Sequence, residues 1–435
     1  TGNQLGDVDN NGLIAADITD GNLIFGNDFG LETANLTSNL TAPNTTIVGV
    51  GGFMLDRVWL QGFGLAITEA IESELVFLES NLGITQVAPI TTPELMILSE
   101  GNVNLTGPNV ADVVAINSGG NVNYTSDIAF EIGSITFDAL TISGFTLDAT
   151  SNNNLTIVTT NDDVVQAMNS PIQVDGTMTI DIGTGCLNFV FGDLDADTFN
   201  DNDFTTIAIT SAQRVEIVDR NSFTTSTIAV SEQIRLQSET GTIFLGGDLT
   251  AGTLVLLQSA DGVQQIPDAV GDLGVIATPA LMLQGTGDFL LTHDNEVGSA
   301  TEDGLIAVEI VGIFELNNVF GLRSRELSFL QKDGTVVTLD GFNVDSGGEA
   351  LVLNVNGLTI ETEIVAPKIV INTTGDIVQA PTGRFVTDQL VLIGTGNFDL
   401  NALNQIGTAM VPGLVAIDVV GDVSLTNEFS IMFDM

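Results

Sequence analysis

Cysteine is almost absent. Cys186 is the only one in 435 residues, which excludes an intrachain disulfide and any zinc or iron–sulfur site built on cysteines. Its setting, GCLNFVF at 185–191, reads as a strand carrying a plain buried thiol. Trp59 is the only tryptophan, so the Cys…Trp…Cys framework of immunoglobulin domains is missing as well. Positive charge is nearly as scarce. Lys and Arg total 9 against 56 Asp and Glu, a formal charge of −47, so DNA or RNA is repelled along almost the whole surface and nucleic acid is excluded as a partner. No apolar run reaches the roughly 18 residues of a membrane helix, so membrane insertion is not expected. No signal peptide opens the sequence, and an exported form is expected to begin at Thr1. Walker loops, dinucleotide fingerprints, HExxH and GxSxG are all missing.

A hydrophobic content of 44% is ample for a core, so this acidic chain is expected to fold. Its charge is best tolerated where divalent cations or high ionic strength screen it, as in a calcium-containing exterior.

Repetition organises the chain. Residues 281–318, LMLQGTGDFLLTHDNEVGSATEDGLIAVEIVGIFELNN, return without gaps as 390–427, LVLIGTGNFDLNALNQIGTAMVPGLVAIDVVGDVSLTN, 109 positions on. A smaller unit lies inside, a glycine followed by polar–apolar alternation. GNFDL at 396–400 returns as GDVSL 25 residues later, and GNVNLT at 101–106 returns as GNVNYT after 19. Repeats of about 20 to 50 residues mark solenoids, propellers and arrays.

From residue 52 onward, short alternating runs are separated by Gly, Asn, Asp, Thr and Ser, as at 135–147, 178–182, 254–257, 351–360 and 364–371. The stretch 64–78, GLAITEAIESELVFL, suits a short helix or strands, and we read strands. A second marker is a glutamine near a proline, in Gln86 with Pro89, Gln265 with Pro267 and Gln379 with Pro381, echoed by Gln166; we place these glutamines in the turn between repeats. An offset of 109 also suits tandem sandwich domains, but a sandwich does not repeat its own strand pairs internally. A unit of 19 to 25 residues supplies two or three short strands, the size of one coil of a parallel β-helix.

The run LVLLQSADGVQQ at 254–265, the units GTGDF at 285–289 and GTGNF at 394–398, and the paired Gly-Asn-Val motifs resemble the repeat regions of filamentous-haemagglutinin-like and autotransporter-type bacterial surface proteins. The resemblance spans 52–435. It implies an all-β, right-handed parallel β-helix (β-solenoid), export to the cell surface, and adhesion or scaffolding in place of catalysis. Residues 1–51 stand apart as a short distinct N-terminal segment, and 192–204 as an acidic insertion in the solenoid at 52–435.

Two acidic sites are candidates for calcium. GDVDNNG at 6–12 sets oxygen side chains at Asp7, Asp9 and Asn11, with Gly12 where an EF-hand loop turns. This resembles the calcium loop of dockerin modules. The closing carboxylate of that loop falls at Ile18, with Asp17 the nearest acid, and a polar Asx-rich turn is the alternative reading. The second site has five carboxylates, Asp193, Asp195, Asp197, Asp201 and Asp203, which repel one another unless a cation sits among them; a solvated loop is the alternative. Sequons at Asn35, Asn39, Asn44, Asn104, Asn123, Asn154 and Asn372 read either as glycosylation sites or as turn and ladder residues. Arg323, Arg325 and Lys332, in a mid-chain insertion, are expected to pair with acids of a neighbouring turn or subunit.

Parallel β-helices also include polysaccharide lyases and polygalacturonases, which need bases for substrate carboxylates beside an acidic cluster. Asp162 and Asp163 are the nearest such pair, with no Lys or Arg close in sequence. His293 aligns with Ala402 of the other copy and reads as a surface substitution in a turn. Catalysis is not expected; polysaccharide binding or cleavage is kept as a second alternative. The apolar, strand-like EFSIMFDM at 428–435 leaves a solenoid edge to be covered. A second copy covers it in a head-to-tail filament, or further chain covers it in the stalk of a single-chain adhesin. The expected partners are therefore the protein itself and host-cell or matrix glycans, at the extracellular cell surface.

Overall fold

The computed structural model describes residues 57–189 and 202–433 except 63, 69, 268–273 and 346–349, together with the backbone of four earlier strands, Gly6–Asp7, Asn10–Ile14, Asn22–Gly26 and Leu31–Thr33. Every element in these residues is a β-strand, and 64–78 resolves into Leu65–Ile67, Ile71–Glu72 and Leu75–Ser80. The chain divides into two units, Thr1–Gln213 and Arg214–Met435. Within each, successive strands pair in parallel with strands one turn away, so each is a parallel β-solenoid. Of the early strands, Asn22–Gly26 pairs in parallel with Arg57–Gly62, and Leu31–Thr33 with Leu65–Ile67.

Alternation makes the coil. Every second side chain of a strand points inward, and parallel register stacks these positions into columns. In the first unit Leu60, Leu78, Ile97, Ile116, Phe145 and Ile172 are successive partners, all buried. In the second, one column runs Phe223, Ile243, Val263, Phe289, Phe314, Leu351, Ile369, Leu390 and Val415. Serines end several strands. Ser99 Oγ donates to the Gly101 carbonyl at 2.9 Å, and Ser118 Oγ to that of Gly120 at 3.1 Å, which is why the GNVN unit recurs after 19 residues. The repeat glycines are placed by close approach of the neighbouring turn: a Cβ on Gly421, at φ +151°, would lie 2.0 Å from the Gly396 carbonyl oxygen.

The duplicated segments match strand for strand. Ala280–Thr286, Phe289–Val297, Gly304–Val311 and Phe314–Asn318 correspond to Gln389–Thr395, Phe398–Ile406, Gly413–Val420 and Val423–Asn427. Each copy spans two turns, as the first strand pairs with the third and the second with the fourth. The copies are nevertheless out of phase. Leu390 stands in the column of Phe289 and not in that of its counterpart Leu281, which runs through Val255 and Ile306. The shift follows a change of sides: Gly304–Val311 pairs along its length with one strand before it, but with two afterwards, Leu322–Ser324 and Phe342–Val344.

That split is made by a hairpin inserted into the coil, and such an insertion is found in each unit. In the first unit the chain leaves the coil after Ile132, opposite Val114, forms the antiparallel pair Ser134–Phe137 and Leu140–Ser143, and rejoins at Phe145, opposite Ile116. In the second it leaves after Ser324, opposite Ile306, forms Glu326–Leu330 and Val336–Asp340, and rejoins at Phe342, opposite Val308. The short strands expected over 135–147 are present, but the first two pair with each other as a hairpin and only Phe145–Leu147 joins the coil, because alternation of period 2 serves a hairpin equally well.

Candidate functional site

The carboxylates expected to bind calcium fall mostly outside the described residues: Asp9, Asp17, Asp193, Asp195, Asp197 and Asp201 all do. Asp7 and Asn11 are described by backbone alone, in an antiparallel ladder where Asp7 is opposite Asn10. Asp203 opens the strand Asp203–Asp219, exposed and in register with Gln173. Among the described residues no group of three His, Cys, Asp or Glu is arranged to hold a metal ion. Of the pair Asp162 and Asp163, the Asp163 carboxylate serves the backbone, its Oδ1 accepting the Cys186 N–H at 2.8 Å, while the main-chain N–H of Asp162 donates to Thr159 Oγ1 at 3.2 Å. Cys186 starts the expected strand but is only half-buried, because its position faces outward beside Gln213. His293 lies within the strand Phe289–Val297 and not in a turn, its main-chain N–H donating to Gln265 Oε1 at 2.8 Å. Arg323 pairs as expected with acids of neighbouring turns, at 3.1 Å from Glu361 and 3.8 Å from Asp303.

The marker glutamines occupy strand ends, not loops, and each meets an asparagine of another turn. Gln166 Nε2 donates to Asn202 Oδ1 at 2.6 Å, Gln265 to Asn295 at 2.9 Å, Gln379 to Asn404 at 2.7 Å, and Gln86 bonds Asn109 in the same way. All four asparagines are buried. Each Oδ1 also accepts a backbone N–H, from Ile90, Ile172, Ile276 or Phe385. Nδ2 returns a hydrogen bond to the carbonyl four residues back in three cases, Leu105, Leu291 and Leu400. In the fourth, Asn202 donates to Phe189, 13 residues back. A coil that bends sharply must satisfy the backbone groups its ladder abandons, and these Gln–Asn pairs do so from inside.

The hairpins fold onto outward faces that are apolar. Ile135, Phe137 and Ile142 pack on Leu75, Phe77, Met96 and Ala115. Phe329 and Leu339 pack on Leu254, Leu256, Ala280, Met282 and Ala307. In both faces one column tapers toward the turn from which the hairpin leaves, Phe77–Met96–Ala115 and Leu256–Met282–Ala307. An arginine closes each over an aromatic ring, Arg57 at 5.6 Å from the centre of Phe137 and Arg214 at 5.1 Å from that of Phe329.

Beneath the tip of the second hairpin lies a buried ionic cluster. Glu216, 2% exposed, receives Arg214 Nη2 at 2.6 Å and Arg235 Nη1 at 3.8 Å, and its Oε1 accepts the Lys332 N–H at 2.8 Å. Burial works against the Arg235 charge, and Glu216 and Asp333 offset it. Arg235 then heads a glutamine ladder: Nε donates to Gln258 at 2.8 Å, Gln258 to Gln284 at 2.8 Å, and Gln284 to Glu309 at 3.2 Å. These groups bear on one another and on the backbone. No protein-family model matches the chain, and no curated protein or solved structure matches it either.

Proposed function

We propose that this chain is a non-enzymatic structural protein of the cell surface, a β-solenoid subunit of a filament assembled head-to-tail. One observation carries the reading. Among the described residues, the contact between turns within each unit has one design, parallel strands in register with inward columns of Ile, Leu, Val and Phe, so a turn of one copy is complementary to a turn of another. Two kinds of polar side chain that look like candidate chemistry, Asp163 and the marker glutamines, are engaged with the backbone, which supports a structural role over cleavage of a polymer. Extracellular placement rests on the charge of −47, and calcium screening of that charge belongs to the same proposal. The stalk of a single-chain adhesin uses the same stacking within one polypeptide.

Sedimentation velocity separates the two. For a filament subunit, the mean sedimentation coefficient rises with protein concentration and rises further when millimolar calcium replaces a chelator. A coefficient that stays monomeric in both buffers favours the stalk.

A further inference from the structure

One corner of the second unit is a groove. Asn343, Val365, Val386 and Gln405 are successive outward partners along it, so its floor advances by about 4.8 Å per turn and about 14 Å in all. It encloses about 600 Å³, inside the roughly 300–1,000 Å³ of small-ligand sites. The floor is apolar at its centre, Val365 and Val386, and carries an amide at each end. Asp345 and Asp388 stand exposed along it, and no Lys, Arg or His is among its described lining residues. Gln405 Nε2 donates to Glu428 at 2.8 Å, and its carbonyl oxygen is an acceptor.

These features select an occupant. A groove running along the stack suits an extended polymer. Carboxylates without a compensating base repel an anionic chain and accept hydrogen bonds from hydroxyls. A cationic peptide is drawn to the acidic surface everywhere, so its charge does not single out this corner. An apolar floor between amides matches the alternating C–H faces and hydroxyls of a sugar chain. We infer that the groove binds a neutral linear polysaccharide. The inference goes beyond the structural role and does not depend on assembly.

Isothermal titration of the full chain with cellohexaose, maltohexaose and xylohexaose tests it, with hexagalacturonate as the acidic counterpart and hexalysine as the cationic one. At least one neutral hexasaccharide binds, and hexagalacturonate does not. Binding weakens roughly tenfold or more, a loss of about 1.4 kcal/mol, in Val386→Arg, which fills the groove. The same loss is expected in the double variant Asn343→Ala with Asp388→Ala, whose exposed positions leave the fold intact by circular dichroism. Absence of binding by all three neutral sugars overturns the inference, as does equal binding in both variants. So does hexalysine or hexagalacturonate binding that these variants abolish.

Discussion

Asn404→Ala is expected to destabilise the second unit by about 3–5 kcal/mol, since each buried backbone group it abandons costs about 1–3 kcal/mol. Asn404 is fully buried, and its Oδ1 accepts the Phe385 N–H at 2.8 Å while the two hydrogens of Nδ2 are shared among the carbonyls of Leu400, Ala402 and Thr426 at 3.2, 3.0 and 2.9 Å. A methyl group answers none of these. The control lies three residues away on the same strand. Asn401 is exposed and accepts only from Ser424 Oγ, so Asn401→Ala should stay within about 0.5 kcal/mol of the parent. Urea unfolding of both variants gives the difference, and hydrogen exchange at Phe385 locates it. Equal midpoints would show that the corner bonds are dispensable.

The second large effect is expected at Glu216. Its removal in Glu216→Ala leaves Arg235, 8% exposed at its side chain, without the carboxylate 3.8 Å away, and breaking one member of a buried ion pair costs about 3–5 kcal/mol. The Lys332 N–H loses its acceptor in the same step, so the hairpin tip is released along with the cluster. Trypsin reads this directly: cleavage after Lys332 should accelerate in the variant and remain slow in the parent. Replacing both charges at once, Glu216→Leu with Arg235→Met, should recover much of the stability, because exchanging a whole buried pair for apolar groups is often neutral or better. If the single variant is no more susceptible than the parent, the cluster does not hold the hairpin.

The solenoid itself was legible in the sequence because its causes are local and repeated. Alternation gives strands, the glycine after each run gives the corner, and the copies 281–318 and 390–427 give the turn. What escaped depends on residues far apart in the chain. Gln86, Gln166, Gln265 and Gln379 stood out, but the asparagines that define them lie 23 to 36 residues onward and look like any turn asparagine. The hairpins escaped for a different reason. ITFDALTIS and ELSFLQKDGTVVTLD alternate as coil strands do, and only the apolar outward residues beneath them, such as Phe77 with Met96 and Leu256 with Met282, betray a covered face. Consecutive apolar runs such as LVFLES at 75–80 and LVLLQS at 254–259 were the available signal, since a strand with one solvated face has no use for them. The phase shift between the copies was hidden because it comes from the hairpin insertion and not from the copies themselves.

Electron micrographs of the purified 435-residue chain, taken across a concentration series with calcium and with a chelator, test the central claim most directly. The account predicts unbranched filaments one solenoid wide, with an axial repeat of about 4.8 Å in their diffraction. Separate single particles at every concentration in both buffers would contradict it.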